Sequence, residues 1–363
     1  MVQPCPRLLV AASGTGGHLF PAIATAEALA QAGYQIEWLG VPDRLETTLV
    51  PAKFHRHTVA MTGFQSRWGY GTLVILVRFV RATLKTRQIL RRGKFAGVFT
   101  TGGYIAAPAI LAARSLGLPA ILHEANAMPG KVTRWLGPWC SVVALGFADT
   151  QSRLGKIHTR VVGTPVRPEF LTPVPPRLED PAIPPGVPLI LVVGGSQGAV
   201  AVNQRVRQVA PSWLQAGAWI VHQTGSQDPD REALTHPHYV HRPFFSTMAA
   251  LLHRADLVIS RSGAGTLTEL AVTHTPSLLI PYPFAADDHQ TFNARVFSRA
   301  GAALLLDQRD LSPQNLEEQV LKLLRSPQSL AQMGAAAARL AVKDSAQMLT
   351  TLVRQAIEEI GDR

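Results

Sequence analysis

Short apolar runs alternate with stretches of helix-forming residues along most of the chain. The runs predict strands at 8–12, 36–39, 96–100, 120–123, 142–145 and 160–162, then at 189–193, 219–223, 257–260, 277–281 and 303–306. Helices are predicted at 22–32, 72–92, 107–115, about 132–136 and 346–360. Apolar strands that alternate with helices are typical of a parallel sheet covered on both faces. The pattern therefore predicts an α/β fold.

A proline-rich segment divides this pattern into two parts. Seven prolines lie between residues 173 and 188, and proline removes a backbone donor and blocks helices. On either side, an apolar strand leads into a glycine-rich turn. We expect an N-terminal domain at 1–165, a linker at 166–188 and a C-terminal domain at 189–343, with the helix at 344–363 returning to the first domain. Both domains are expected to be Rossmann-like and doubly wound, with a cleft between them.

The first glycine-rich turn reads S-G-T-G-G-H from Ser13 to His18. Glycine permits positive φ and close approach of a ligand, and N–H groups at a helix start favour anions. The dinucleotide fingerprint G-x-G-x-x-G is not met, because Leu19 occupies its last position. His18 lies where such sheets bind ligands, and an imidazole can accept a proton, so it is a candidate general base. The alternative is a histidine that only holds the loop.

Two further strand ends of the first half carry polar groups. Thr101–Tyr104 reads T-G-G-Y and fits either helix-start packing or a site near an acceptor phosphate. His123 and Glu124 could form a buried pair that holds their loop, and Glu124 is also the second candidate base. Asn126 offers an amide to a sugar hydroxyl.

In the second half, the stretch 261–269 reads R-S-G-A-G-T-L-T-E after a strand. Its glycines and hydroxyls suit a diphosphate, and Glu269 can accept two hydroxyls of a ribose. A glutamate favoured by the helix dipole is the alternative. The clusters 228–230 (D-P-D) and 287–289 (D-D-H) suggest a metal at first sight, but no further ligand lies at a suitable spacing. We expect no metal and no cofactor.

The net charge of +11 is concentrated in one part of the first half. Residues 47–123 contain no Asp or Glu but eleven Lys or Arg. Within them, 67–92 combines an apolar stripe (Leu73, Val77, Val80, Leu84) with a basic one (Arg78, Arg81, Lys85, Arg92) and nearby aromatics. This is the pattern of an interfacial surface that binds an anionic membrane. The alternative is a helix whose apolar face joins the core. We expect no nucleic-acid partner, because no recognised module is present.

Other features exclude several protein classes. Two cysteines provide no disulfide framework or metal spacing, which fits a reducing compartment. We expect no signal peptide and no spanning helix, because the N-terminus lacks a basic region and no apolar run reaches about 18 residues.

Taken together and in this order, the motifs resemble the bacterial MurG family. They are S-G-T-G-G-H-L-F-P-A, T-G-G-Y, H-E-A-N, G-T-P-V-R, G-G-S-Q-G, S-R-S-G-A-G-T-L-T-E and D-H-Q-T-F-N-A. The resemblance covers nearly the whole chain. It implies a metal-independent, inverting GT-B glycosyltransferase that moves N-acetylglucosamine from UDP-N-acetylglucosamine to a lipid-linked muramoyl-pentapeptide in peptidoglycan synthesis. It also implies a peripheral protein on the cytoplasmic face of the bacterial inner membrane.

The resemblance also implies contacts, carried over by motif position. The donor would meet Thr15, Gly16, Gly17, Asn126, Arg167, Ser196, Phe245 (beside the uracil), Ala264, Gly265, Thr266, Leu267, Thr268, Glu269 and Gln290. The lipid acceptor would meet the N-terminal domain. Three positions depart from the family pattern, which usually has Gln at Ala125 and Asn at Thr164 and often has Gly at Ser13. They leave individual contacts open.

Two other functions are compatible with parts of the pattern. A sugar-nucleotide epimerase shares the two-domain architecture, but it would need additional acid and base carboxylates and no membrane surface. A catalytically silent, membrane-docked subunit is the third possibility, and the presence of both His18 and Glu269 argues against it.

Overall fold

The computed structural model describes residues 5–42, 45–61, 70–172, 183–195 and 198–361. The chain forms two compact units. The first comprises Met1–Arg167 together with Asp344–Arg363, and the second comprises Pro168–Lys343. Each unit is built on its own parallel sheet, so the predicted pair of Rossmann-like domains is confirmed.

The first unit contains a seven-stranded sheet in the order β3-β2-β1-β4-β5-β6-β7. Its strands are β1 (Arg7–Ala11), β2 (Gln35–Gly40), β3 (His55–Thr58), β4 (Gly97–Thr100), β5 (Ala120–Glu124), β6 (Val142–Leu145) and β7 (Thr159–Val161). All neighbouring strands are parallel. Strand β3 was missing from the sequence prediction, because its four residues (H-R-H-T) have no apolar pattern.

Helices cover both faces of this sheet. They are α1 (Gly16–Gln31), α2 (Glu46–Leu49), α3 (Tyr70–Arg92), α4 (Ala106–Arg114), α5 (Lys131–Leu136) and, from the end of the chain, α13 (Ser345–Gly361). Successive residues of β1 point to opposite faces. Leu9 packs with the layer of α3 and α4, whereas Leu8 packs with the layer of α1 and α13. This explains why the strands are apolar throughout.

The second unit repeats the plan with six parallel strands in the order β10-β9-β8-β11-β12-β13. They are β8 (Leu189–Val193), β9 (Trp219–Gln223), β10 (Tyr239–Arg242), β11 (Leu257–Ser260), β12 (Ser277–Leu279) and β13 (Ala303–Leu305). The helices are α6 (Pro168–Leu171), α7 (Val200–Gln215), α8 (Met248–Arg254), α9 (Ala264–Val272), α10 (His289–Arg299), α11 (Pro313–Leu324) and α12 (Pro327–Leu340). One core of this unit surrounds the fully buried Trp213 on α7.

Helix α1 begins six residues before its predicted start at 22. Thr15 is its N-cap in extended conformation, and the Thr15 carbonyl accepts bonds from the N–H groups of His18 (3.0 Å) and Leu19 (3.1 Å). The helix continues through Pro21. His18 therefore lies in the first turn of the helix, not in a loop before it.

Candidate active site

The predicted site residues that the structure describes follow the carboxyl ends of the strands of their unit's sheet. In the first sheet β1 lies beside β4, and in the second β8 lies beside β11. At each of these pairs the strand order reverses, which is where open α/β sheets bind ligands. In the first unit the Ser13–His18 motif follows β1 and runs into the first turn of α1, and the Thr101–Tyr104 motif follows β4. In the second unit the loops after β8 and β11 carry the glycine-rich turns.

The imidazole of His18 is held against the loop that follows β4. Its Nδ1 lies 2.7 Å from the Thr101 carbonyl oxygen, and the Thr101 hydroxyl donates to the His18 carbonyl at 2.9 Å. A carbonyl can only accept, so Nδ1 carries the proton, and in the neutral ring Nε2 keeps its lone pair. Gly102 and Gly103 have positive φ, and a Cβ on either would lie within 3.8 Å of the ring. The loop thus fixes one tautomer and orientation.

The N-terminus of α1 supplies N–H groups beside this histidine. Thr15 caps the helix without a side-chain bond, and the first turn contains no acidic residue. Gly16 and Gly17 are the first two residues of the helix, whose N–H groups have no carbonyl four residues earlier within it. The site can therefore favour an anion.

Glu124 has both carboxylate oxygens occupied within its own loop. One oxygen accepts from the backbone N–H (3.0 Å) and side-chain amide (3.2 Å) of Asn126. The other accepts from the N–H of Gly130 (2.8 Å) and the hydroxyl of Thr133 (2.6 Å), at the start of α5. A general base needs a free lone pair, so this arrangement argues against Glu124 in that role. It is the geometry of a residue that shapes the loop and orients Asn126.

His123 is also engaged in structure. It is fully buried, and its Nε2 lies 2.9 Å from the Gly163 carbonyl oxygen. Burial lowers the pKa of His123, so the ring is neutral. It links the ends of β5 and β7. No hydrogen bond between His123 and Glu124 is found among the described residues. Instead, His123 bonds the segment after β7, and Glu124 bonds the segment that leads into α5.

Arg167 is the last residue of the first of the two segments that make up the first unit. Its guanidinium lies over the ring of Phe20 on α1, 4.8 Å from the centroid. This cation–π contact places a positive charge near the helix start that carries Thr15 and Gly16.

The three departures from the family pattern are all buried. Ser13 and Thr164 are each 2% exposed and Ala125 is 8% exposed. The Ser13 and Thr164 hydroxyls have no hydrogen-bond partner among the residues that the structure describes. Because all three are buried, their side chains offer little surface to a ligand.

In the second unit, residues 264–269 form the first six positions of α9. Gly263 is the N-cap in extended conformation, again without a side-chain bond. A Cβ on Gly263 or Gly265 would meet nothing within 4 Å, so the space before the helix is open. Thr268 turns its hydroxyl back to the Ala264 carbonyl (2.9 Å). Thr266 and Glu269 are partly exposed, whereas Leu267 is in the core.

Gln290 lies next to this turn. Its carbonyl accepts from the Ser262 hydroxyl at 2.8 Å, and its side-chain oxygen accepts from the Tyr282 N–H at 2.9 Å. Asn293, fully buried one turn later, donates to the Ser262 carbonyl at 3.1 Å. The structure therefore brings Gln290 and the α9 turn together.

The remaining second-unit predictions lie on the loops after β8 and β10. Ser196 falls outside the described residues. Phe245 is 4% exposed, and its N–H donates to the side-chain oxygen of Gln223 at 3.0 Å. Gly198 has φ +87°, and a Cβ there would lie 2.3 Å from the Thr224 carbonyl oxygen, so only glycine fits. The segment after β9 thus supports both loops, a role of Gln223 and Thr224 that the sequence analysis missed because neither belongs to a motif.

A buried polar network anchors that segment. Asp228 accepts two bonds from Arg207 (2.7 and 3.1 Å) and one from Asn203 (2.6 Å). His222 bridges the Tyr239 hydroxyl (2.7 Å) and the Asn203 amide oxygen (3.0 Å). The carboxylate of Asp228 is therefore engaged in a buried ion pair with Arg207, which argues against a metal site at D-P-D. In the other acidic cluster Asp288 accepts from the Thr291 hydroxyl at 2.6 Å.

Helix α3 presents apolar side chains to solvent. Val74, Leu76, Val77, Val80 and Leu84 are 41–60% exposed. Its core-facing side is formed by Ala82, Thr86 and Leu90. Arg78, Arg81 and Lys85 are exposed on the same helix, and Lys85 donates to the Thr58 carbonyl at 2.8 Å. The core-facing alternative for the stripe Val77, Val80 and Leu84 is wrong. The side chain of Leu73 and all of Arg67 lie outside the description.

Comparison with known proteins gives consistent matches over the whole chain. Residues 8–145 match the glycosyltransferase family 28 N-terminal domain, and residues 189–349 match the family 28 C-terminal domain. A Nostoc sp. protein named UDP-N-acetylglucosamine--N-acetylmuramyl-(pentapeptide) pyrophosphoryl-undecaprenol N-acetylglucosamine transferase is 59% identical over 99% of this chain and 100% of its own.

Solved structures agree. The crystal structure of Acinetobacter baumannii MurG has a TM-score of 0.79 and 32% identity, and covers 96% of this chain and 99% of that one. A Listeria monocytogenes protein assigned provisionally as a UDP-N-acetylglucosamine 2-epimerase has a TM-score of 0.71 at 16% identity, over 98% and 97% of the two chains. The second likeness shows the shared fold alone. By both domain matches and by full-length identity, the chain belongs to glycosyltransferase family 28.

Proposed function

We propose that this chain transfers N-acetylglucosamine from UDP-N-acetylglucosamine to the muramoyl sugar of a pentapeptide-bearing pyrophosphoryl-undecaprenol. The observation that carries the proposal is the 59% identity, over essentially both full lengths, to a transferase of that name. The polar groups at the carboxyl edges of both sheets support it. The epimerase alternative is not favoured, because its support is a likeness of fold.

In this proposal the second unit provides most of the contacts that bind the donor. The uncapped N–H groups at the start of α9 suit the negative diphosphate. Glu269 accepts hydroxyls of the ribose, and the loop of Phe245 lies by the uracil. Gln290 and Ser196 complete the contacts. The first unit would add donor contacts from Arg167, Asn126 and the N-terminus of α1, with Thr15, Gly16 and Gly17.

The chemical step follows from the state of His18. Its Nε2 lone pair takes the proton from the acceptor hydroxyl, and the oxygen so activated attacks the anomeric carbon of N-acetylglucosamine. The bond from that carbon to the diphosphate breaks, and UDP leaves with the electron pair. Helix N-termini and Arg167 stabilise its growing charge. A single displacement converts the α-linked donor into a β-linked product, without a metal or cofactor.

The acceptor's lipid requires a membrane, and α3 supplies the surface. We propose that its exposed apolar stripe and its arginines bind an anionic bilayer from the cytoplasmic side. No helix in the described part of the chain is both long and apolar enough to cross a bilayer. The function therefore includes peripheral attachment through residues 67–92.

The test is an assay of purified protein with UDP-N-acetylglucosamine labelled in the sugar, with and without a short-chain lipid-linked muramoyl-pentapeptide. We expect one labelled product and one UDP per acceptor consumed, and no UDP release without acceptor. Formation of the 2-epimer of the donor, or no turnover by folded protein, would contradict the proposal.

A further inference from the structure

Two histidines and a glutamate meet at the outer edge of the first sheet, away from the carboxyl-edge loops described above. Glu37 lies on β2 and His55 and His57 lie on β3, with Glu37 paired to His55 in the parallel register. One donor atom from each residue lies within 4.8 Å of the other two. In the described parts of the chain, this is the one group of three such residues at that spacing.

The arrangement follows from strand geometry. Residues two apart on a strand point to the same face, so His55 and His57 stand side by side. Their ring centroids are 4.7 Å apart at an interplanar angle of 81°. Strand β3 is the last strand of the sheet, so one side of the pair is open. His55 is exposed and His57 is partly exposed, whereas Glu37 is 3% exposed.

The donor types select a class of ion. Two imidazoles and one carboxylate suit zinc and its neighbours among the first-row divalent metals, not magnesium or calcium. Ligand atoms bound to zinc lie about 2.0–2.2 Å from the metal. The Nε2 of His57 already lies 2.6 Å from Glu37 Oε2, and the exposed side chain of His55 can rotate toward them.

Arg7 holds the carboxylate of Glu37 in place through the oxygen that does not contact His57. Its guanidinium donates to Glu37 Oε1 and also to the Gly93 carbonyl (2.7 Å). The contact with Arg7 holds Oε1 of Glu37, and Oε2 is turned toward His57. Partners of this kind orient metal-binding carboxylates.

We propose that Glu37, His55 and His57 bind one zinc-class divalent ion, with water completing its coordination. The ion would replace the proton shared between His57 and Glu37 and would tie the four-residue edge strand β3 to β2. This inference is independent of the transferase function.

The test uses full-length, tag-free protein stripped of metal with a chelator. Cobalt(II) is titrated while visible absorption is followed, and zinc binding is measured by calorimetry. We expect one equivalent per chain, a tetrahedral-type cobalt spectrum and a higher melting temperature with zinc. His55→Ala and His57→Ala should each weaken zinc binding at least tenfold. His55 is exposed, so its variant keeps the fold.

The matched control is the pair His236 and His238 in the second unit, whose rings are 5.2 Å apart. The double variant His236→Ala/His238→Ala should bind zinc like the parent. An absence of binding by the parent would reduce the group to an ion-pair network of Arg7, Glu37 and His57 and overturn the proposal. Binding that survives His55→Ala and His57→Ala would overturn it equally, because the ion would then lie elsewhere.

Discussion

At the scale of single residues, the hydrogen-bond partners decide which groups are available for chemistry. His18 and Glu124 both lie at strand ends of the first sheet. In the ring of His18, Nδ1 donates a hydrogen bond to the Thr101 carbonyl, and Nε2 retains its lone pair. Both carboxylate oxygens of Glu124 accept hydrogen bonds from residues that follow it in the chain. His18 is therefore the better candidate base.

Replacing His18 tests this assignment. His18→Ala and His18→Gln should each lower kcat about 10²–10⁴-fold, the usual contribution of a positioned base, and leave the donor KM within a few-fold. Gln can keep the bond to Thr101 but cannot take a proton. The control is His158→Ala, which removes an exposed histidine whose Nδ1 also meets a carbonyl. Loss of donor affinity in proportion to rate, or rescue by Gln, would make His18 a positioning residue.

The buried histidine of the second unit predicts acid sensitivity. Burial, together with the charge of Arg207, lowers the pKa of His222 to about 3. Between the ordinary histidine pKa of about 6.5 and about 3, the unfolded chain binds more protons than the folded one, so stability falls as pH falls. Lowering the pH from 7 to 5 should cost about 2 kcal/mol through this group.

Urea unfolding of the second unit at the two pH values measures this cost. His222→Gln should remove most of the difference, although it will be less stable at pH 7. His236→Gln, at an exposed position of the same unit, should retain it. An equal pH dependence in parent and His222→Gln would assign the acid sensitivity to other groups.

At the scale of elements, α3 shows how charge and apolar surface combine. Its inner side packs on the core through Ala82 and Leu90, with Phe79 and Ile89 partly buried against the same core. A second set of apolar side chains on the helix is exposed: Val74, Leu76, Val77, Val80 and Leu84. Such a surface is unusual for a water-exposed helix, but it suits the boundary of a bilayer.

The triple variant Arg78→Gln/Arg81→Gln/Lys85→Gln tests the membrane role. Each basic side chain near an anionic bilayer contributes about 1 kcal/mol, so vesicle binding should weaken by two orders of magnitude or slightly less, since Lys85 also bonds Thr58. Turnover of a soluble, short-chain acceptor should be unaffected. Arg299→Gln/Lys322→Gln/Arg325→Gln is the control of equal charge in the second unit. Equal losses in both triples would indicate a general charge effect, and α3 would not be the docking surface.

At the scale of the whole molecule, the end of the chain belongs to the unit that begins it. Helix α13 packs beside α1 and on the face of β5 and β6. Leu349 and Val353 are fully buried there. The first unit is therefore complete only after the second has been synthesised.

Leu349→Ala should accordingly destabilise the first unit, although the stretch that directly precedes this helix in the chain, Pro168–Lys343, forms the second unit. A large-to-small change in a core costs about 2–5 kcal/mol. Hydrogen exchange should rise in β5 and β6 and stay unchanged in β8 and β9. Arg354→Ala, on the exposed side of the same helix, should leave both unaltered. Faster exchange in β8 and β9 would contradict this allocation of the helix.

Much of the fold was accessible from the sequence, because its signals are local. Apolar runs such as 189–193 and glycine-rich turns such as that at 263–265 depend on neighbours along the chain, so strands, fold class and family follow from them. The start of α1 and the strand β3 were not accessible, since a cap carbonyl and an edge pairing replace the apolar pattern there. Only the tertiary structure decided which side of α3 faces solvent and which lone pairs remain on His18 and Glu124. It also brought Glu37 to His55 and His57, because strand pairing joins residues that are eighteen and twenty positions apart.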